Sequence, residues 1–428
     1  MRLRQLVRRF QLVALATLLC LGARPAEAGE AITLRVAYAN PHAYTEMMRE
    51  IAARFEETHP SIKVALMPAS RDYEELLQQL LRSAAVGQDL PDVAFHGLHR
   101  VRLLVDRGLV VPIKPFIAAE PNWAGLGYIP AMQTLGDQSG QSYALAFAVS
   151  TMIAHYNADL VPRAGGNPDK LPTTWPDIID LAGRIRKLGD DVQGLYWFYF
   201  ESNNNYTFHT LVQSFGGEMM MPDDRTIAFN SPAGQQALAL VRRFGEAGML
   251  DMTDSQAVQS FIAGKLGIYL ASTARVDQLA VGARGHFRYV TGPLPVPAET
   301  ATFPAGGAGV MMHTRDLARQ RAAWEFMKFA AGPMGQTIVV RHSGYMPGNE
   351  LALNDPKLLG GWYDDHPNHR TSLGQLPRMS RFYSFPGANS MKIPTVIRDH
   401  LQSVVTLKRR PDEVMPDMVR DVQALLPR

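Results

Sequence analysis

Cysteine is almost missing from this chain: one residue, Cys20, in 428. It sits inside an apolar stretch near the N-terminus, so the body of the chain has no thiol. That excludes disulfide staples, thiolate metal sites and cysteine nucleophiles. An excess of charge of one sign is missing too. Residues 1–28 hold five of the 43 basic and one of the 40 acidic side chains, leaving 38 and 39 in the other 400 residues. A pI near 8.9 therefore belongs largely to the leader, and gives no argument for a nucleic-acid partner or an anionic membrane surface. Long hydrophobic runs are absent as well. The longest, Leu12 to Leu21, falls short of the ~20 residues that span a bilayer. The chain has no Gly-x-Ser-x-Gly elbow, His-Glu-x-x-His pair, Walker loop or dinucleotide Gly-x-Gly-x-x-Gly, so the commonest catalytic signatures are missing and no cofactor is expected.

What is present begins at the N-terminus. Arg2, Arg4, Arg8 and Arg9 precede the apolar run, and Ala26-Glu27-Ala28 places small residues where a signal peptidase reads. This pattern predicts a secretory signal peptide over residues 1–28 and export to the periplasm. Leu18 and Leu19 stand where a lipid-anchored Cys20 needs small residues. The expected product is a free, exported monomer that is not embedded in the membrane.

Four hundred residues, 46% hydrophobic over the whole chain, exceed what one core usually supports and predict two lobes. Strand patterns at Thr33–Tyr38, Ile62–Leu66 and Pro91–Phe95 alternate with helical spacing at Met47–Phe55 and Glu74–Ala85. This βαβαβ order predicts an α/β fold with mainly parallel sheets flanked by helices, and a ligand crevice beyond the carboxyl ends of the strands. Tyr143–Asn157 reads as one long extended run, either a single core strand or a strand that crosses between lobes and turns its central Ser150-Thr151 into the cleft. Helices are expected over Trp175–Leu188 and Ser231–Ala247. Pro293, Pro295 and Pro297 mark a second crossing, and Gly306–Met312 a strand returning to the first lobe. The lobes read as 29–145 with 303–347, and 146–302 with 348–428.

Several clusters are candidates for chemistry. His96 and His99 follow the third strand, where a ligand crevice would lie. Asn204 and Asn205 sit in a polar loop whose amides suit neutral hydroxyls. Tyr196–Phe200 is an aromatic run whose alternate members must face opposite ways if it is a strand. Gly306-Gly307 lets backbone approach a ligand or a packed helix. Asp364–His369 has ligand types that suit zinc or manganese, but it is a single Pro-containing loop and reads as solvated.

Taken in order, these segments resemble the carbohydrate-binding family of extracellular solute-binding proteins of ABC importers, most nearly its glycerol-3-phosphate-binding type. The residues that carry the likeness include Asp72-Tyr73-Glu74, Pro91-Asp92-Val93, Ser150-Thr151, Ala271-Ser272-Thr273, Gly306-Gly307-Ala308 and Gly344–Pro347. The resemblance implies a two-lobed clamshell that closes on a small molecule and docks on permease subunits. It implies contacts at Tyr73, Ser150 or Thr151, Ser272 with Thr273, Gly307 and Tyr345. The chain departs from that type at four positions. Leu98 stands where it has a carboxylate, Ser202 and Asn205 where it has tryptophans, and Pro386 where it has the phosphate-binding arginine. A phosphomonoester wants a fixed cation, so a sugar, oligosaccharide or polyol is the expected solute. Glycerol 3-phosphate or a glycerophosphodiester is the alternative ligand. A secreted hydrolase and a sensory module are the alternative functions.

Overall fold

The computed structural model describes residues 31–199 and 205–427; the leader with Cys20, and Phe200 to Asn204, lie outside them. The chain starts with β1 (Ile32–Ala37), α1 (Pro41–Thr58), β2 (Ile62–Leu66), α2 (Tyr73–Ala85) and β3 (Val93–Gly97). The side chain of Asp72 caps α2, accepting from the Glu75 amide at 2.8 Å, which satisfies one orphan donor of its first turn. β3 is buried throughout, as expected of an inner strand covered on both faces.

The long run predicted from Tyr143 to Asn157 is two strands, β4 (Ala144–Ser150) and β5 (Met152–Asn157), which belong to different sheets. Thr151 is the break. The second lobe continues with α3 (Trp175–Arg186), β6 (Gln193–Trp197), α4 (Tyr206–Ser214), α5 (Pro232–Glu246), β7 (Leu266–Ser272), α6 (Val276–Ala283) and β8 (Tyr289–Pro293). The chain returns through β9 (Gly306–Met312), then α7 (Leu317–Ala331) and α8 (Pro333–Arg341), and ends in α9 (Ile393–Val405) and α10 (Pro411–Gln423).

The first sheet runs β2-β1-β3-β9-β4. β1 pairs in parallel with β2 and β3, and β9 is antiparallel to both its neighbours. The second sheet runs β8-β5-β7-β6. Its detail corrects the expectation of a mainly parallel sheet: β5 is antiparallel to β7 and β8, and only β6 with β7 is parallel. The reason is connectivity. β5 enters from the other lobe rather than through a right-handed βαβ crossover, so no handedness rule forces it parallel.

Each sheet has its own core. Phe55, Phe95, Phe147 and Phe326 pack in the first lobe, and Trp197, Phe244, Phe261, Ile397 and Val404 in the second. Asp92 pins β1 to α7, accepting from the Arg35 amide and from Arg319 Nε, each at 2.7 Å. The predicted lobe boundaries shift accordingly. β4 stays whole in the first sheet, so the crossing falls at Thr151 rather than after Leu145. Ala352, Leu359 and Tyr363 pack against Val340 of α8, which places that stretch on the first lobe; Phe382, Phe385 and the later helices α9 and α10 join the second core. Residues 362–378, which include the Asp364–His369 segment read as a loop, form short helical turns. No helix among the described residues is long and apolar enough to cross a membrane.

Candidate functional site

The carboxyl ends of β3, β4 and β7 face one another across the gap between sheets. Because β9 is antiparallel to β3 and β4, its N-terminal Gly306-Gly307 arrives at the same end. These ends surround a cavity of about 640 Å³, within the ~300–1,000 Å³ usual for small-molecule sites.

Seven predicted residues line it: Tyr73, His99, Ser150, Ser272, Gly306, Gly307 and Tyr345. The others fall elsewhere. His96 is buried beneath Tyr73, whose ring lies nearly parallel to it at 5.9 Å. The turn after Gly97 brings His99, two residues past the strand end, to the cavity instead. Thr151 points away and hydrogen-bonds to Gln375, whose own amide donates to the Met152 carbonyl at 3.0 Å. Thr273 is buried behind Ser272, its amide bonded to the Thr151 carbonyl. Asn205 lines a narrow side recess, and Asn204 is outside the described residues. Leu98 packs in an apolar cluster with Ala146 and Met346.

Residues missed in the sequence also line the cavity, among them Phe198, Tyr206, Arg275 and Phe382. Phe198 lies in the aromatic run, just past the end of β6. Tyr196 and Trp197, inside the strand, are core. Phe382 carried no signal, because its segment has no periodicity and reaches the cleft only through tertiary packing. The Asp364–His369 cluster is engaged in side-chain contacts: Asp364 with Arg370, His369 Nε2 with Asp277 at 2.9 Å, and His366 stacked on Trp362 at 3.9 Å.

The wall of the cavity combines neutral donors and acceptors with four charged side chains, Asp72, Glu74, Arg275 and Asp277. Tyr44 and Tyr73 share a hydrogen bond of 2.7 Å between hydroxyls, and Tyr345 meets Tyr44 edge-on at 5.9 Å. Burial raises the pKa of all three phenols, so they stay protonated. Tyr206 donates to the Ser150 carbonyl at 3.2 Å. The charges are paired. Arg275 bridges to Asp254, which also accepts from Tyr269. Glu74 accepts from Arg100 Nε at 2.7 Å and meets His99 Nε2 at 3.4 Å. Burial alone would raise the Glu74 carboxyl, but the His99 hydrogen bond and the Arg100 charge outweigh it and hold the pKa below the ordinary value. Its second oxygen, Oε2, is buried with no partner among the described residues.

Two α/β lobes, several strand crossings and a polar cavity between them define a clamshell solute-binding protein. The family model for bacterial extracellular solute-binding proteins matches residues 50–371, and the chain belongs to that family; its function is that of the solute-binding component of an ABC importer. Among its relatives is the sn-glycerol-3-phosphate-binding periplasmic protein UgpB of Pectobacterium atrosepticum, 23% identical over 405 residues, covering 89% of this chain and 88% of that one. The structure of UgpB from Mycobacterium tuberculosis in complex with glycerophosphocholine superposes with a TM-score of 0.80 at 22% identity, covering 92% and 98% of the two chains. The sugar-binding protein MalE from Xanthomonas citri superposes with a TM-score of 0.76 at 20% identity, covering 92% and 97%.

Proposed function

We propose that this protein captures a neutral, polyhydroxylated, carbohydrate-like solute in the periplasm and, as a monomer, delivers it to permease subunits by closing its lobes. One observation carries the reading. Among the described residues, Arg275 is the only Lys or Arg lining the cavity, and it is already paired with Asp254. A phosphomonoester would meet tyrosine hydroxyls, serine hydroxyls and the paired carboxylate Glu74 instead of a dedicated cation. Ligand hydroxyls suit that wall, because each can both donate to and accept from the tyrosine and serine hydroxyls. The pairing of Glu74 also argues against a glycosidase, whose general acid needs a raised carboxyl pKa.

A glycerophosphodiester, with a single negative charge, is the second reading. Its support is that Tyr73, Ser150, Ser272, Gly307 and Tyr345, the positions singled out by likeness to the glycerol-3-phosphate-binding type, all line one cavity.

The test is a thermal-shift screen of the purified protein against sugars, oligosaccharides, polyols, glycerol 3-phosphate and glycerophosphodiesters. A ligand at 100 times its Kd stabilises the folded state by about 2.7 kcal/mol. A selective shift with saccharides or polyols and no product supports the first reading. A shift confined to glycerophosphodiesters moves the assignment to the second. Product formation would replace both with a hydrolase.

Two substitutions probe the site directly. Tyr345→Ala should weaken binding roughly 10- to 100-fold through loss of buried ring and hydroxyl. Ser272→Ala should weaken it about 5-fold, the worth of one neutral hydrogen bond. Ser272 Oγ also accepts from the Ala274 amide at 3.2 Å, so a stability loss of about 1 kcal/mol accompanies the second change. Calorimetric titration of each variant is the check. Wild-type affinity in both would remove these positions from the site.

A further inference from the structure

Phe382 is the one described residue that lines three adjoining spaces in the gap between the lobes. On one side is the main cavity. On the other is a second cavity of about 580 Å³ lined in part by Leu135, Gln213, Glu218 and Ser380. Between them is the narrow recess beside His99 and Asn205. The Phe382 ring stacks on Tyr206 at 5.7 Å and meets His99 and His209 edge-on at 5.7 and 5.3 Å. Its backbone belongs to no helix or strand, so no ladder of main-chain bonds holds the ring in place.

What lies behind the ring is polar. Asn205, the N-cap residue of α4, precedes His209 and Gln213 at four-residue spacing, and the last two share one face of the helix. Asn205 and His209 are 8% and 1% exposed. Neither ring nitrogen of His209, nor the amide nitrogen of Asn205, has a hydrogen-bond partner among the described residues. Buried polar groups are normally satisfied, and an apolar ring over unsatisfied ones is an unfavourable cover. Gln213 continues the stripe into the second cavity, where its Oε1 accepts from Ser380 Oγ at 2.9 Å. The two cavities together exceed the ~1,000 Å³ upper end of ordinary small-ligand pockets.

We propose that Phe382 is a movable partition, and that a solute too long for the main cavity binds by displacing its ring and hydrogen-bonding to Asn205, His209 and Gln213 behind it. This inference rests on the carbohydrate-like reading and narrows it to a chain of linked polar units. A short ligand leaves the partition shut. A longer one fills the path between the cavities and satisfies the stripe. Length selectivity is then set by the free energy of moving one aromatic ring.

The experiment uses the full protein with Phe382→Ala and Phe382→Leu. Binding is measured by calorimetry against α-1,4-linked glucose oligomers of increasing length. In parallel, the His209 ring is titrated by NMR, since burial holds its pKa down at about 3 in the closed arrangement. In Phe382→Ala the affinity for the longest oligomer should rise about tenfold relative to the shortest, with Phe382→Leu intermediate, and the His209 pKa should climb toward the ordinary histidine range. A length dependence unchanged from wild type overturns the proposal, whatever His209 does. If the wild-type protein binds none of these oligomers, the narrowing to a chain of linked units fails for this class, the carbohydrate-like reading is judged by the thermal-shift screen, and the partition is judged by NMR alone. A rise of the His209 pKa on removing the ring then supports it, and a pKa still near 3 overturns it. Phe382→Leu keeps an apolar side chain of intermediate size, so the test stands if the alanine variant folds poorly.

Discussion

Lowering the pH from 7 to 5 should remove several kcal/mol of folding stability, well before most carboxylates titrate. Four histidines are responsible. Burial pushes His96, His155 and His209 down to about 3 and His313 down to about 4. The positive charge of His99 adds to the effect at His96, while backbone hydrogen bonding partly opposes it at His155. Each ring is buried in the fold. His155 Nδ1 shares a hydrogen bond with the Tyr289 hydroxyl at 2.7 Å, and His313 Nδ1 bonds the Leu109 carbonyl at 2.6 Å. The remaining nitrogens of all four have no partner among the described residues.

The unfolded chain binds protons at these rings below about 6.5, whereas the folded chain does not until about 3 to 4. The unfolded state therefore holds more protons throughout that window. The stability contribution is complete above pH 6.5 and declines as the pH falls through it. At pH 5 the loss is on the order of 1–2 kcal/mol per histidine. The total for four is then comparable with the 5–15 kcal/mol that holds a typical domain folded. Urea unfolding at pH 7, 6 and 5 measures it directly. A stability unchanged over that range would mean that water or a rearrangement lets these rings titrate normally in the native state. Glu74, whose pKa is lowered in the fold, contributes in the same sense at lower pH: its share is present above the ordinary carboxylate pKa and is lost on further acidification.

Gly307→Ala should both destabilise the protein and abolish solute binding. Gly307 has a φ of 92°, a region where a side chain is strained. A Cβ there would lie 1.9 Å from the Ala148 carbonyl oxygen and 3.3 Å from Tyr345 Cε1. The first contact is with backbone of the neighbouring strand β4, so it cannot be relieved by a rotamer change. Strain and overpacking together predict a loss of about 2–5 kcal/mol. Relief would come by moving the β4–β9 pair that carries Ser150, Gly306 and Gly307 into the cleft, so binding should fall with stability. Gly306→Ala is the internal control. A Cβ there would approach the Ser150 hydroxyl at 2.9 Å and the Tyr206 ring at 3.0 Å, both side-chain atoms that can yield. Denaturant unfolding and calorimetric titration of the two variants should therefore differ, with position 306 costing less stability. Equal and small effects would show that the sheet absorbs a side chain at 307.

Much of this organisation is legible in local pattern. The helix read over Glu74–Ala85 and the strand read at Pro91–Phe95 follow from apolar period, which depends on near neighbours in sequence. The Ser150-Thr151 step is half legible. A polar pair in an apolar run signals an end or a crossing, but which of the two faces the cavity depends on where the chain bends. Ser150 lies on the cleft, while Thr151 turns to Gln375, a residue 224 positions away. His96 and His99 show the same limit, because Tyr73 from α2 covers one and leaves the other exposed to the cavity.

From the sequence alone followed the two-lobed α/β class, the expected export and the neutral body, because composition, periodicity and the leader pattern are properties of the chain itself. Tertiary structure decided the antiparallel order of the second sheet, the position of the crossing at Thr151, the pairing of Arg275 with Asp254 and the place of Phe382 between two cavities. Each of these depends on side chains and strands far apart in sequence meeting across a packed interface, and no local propensity encodes that meeting.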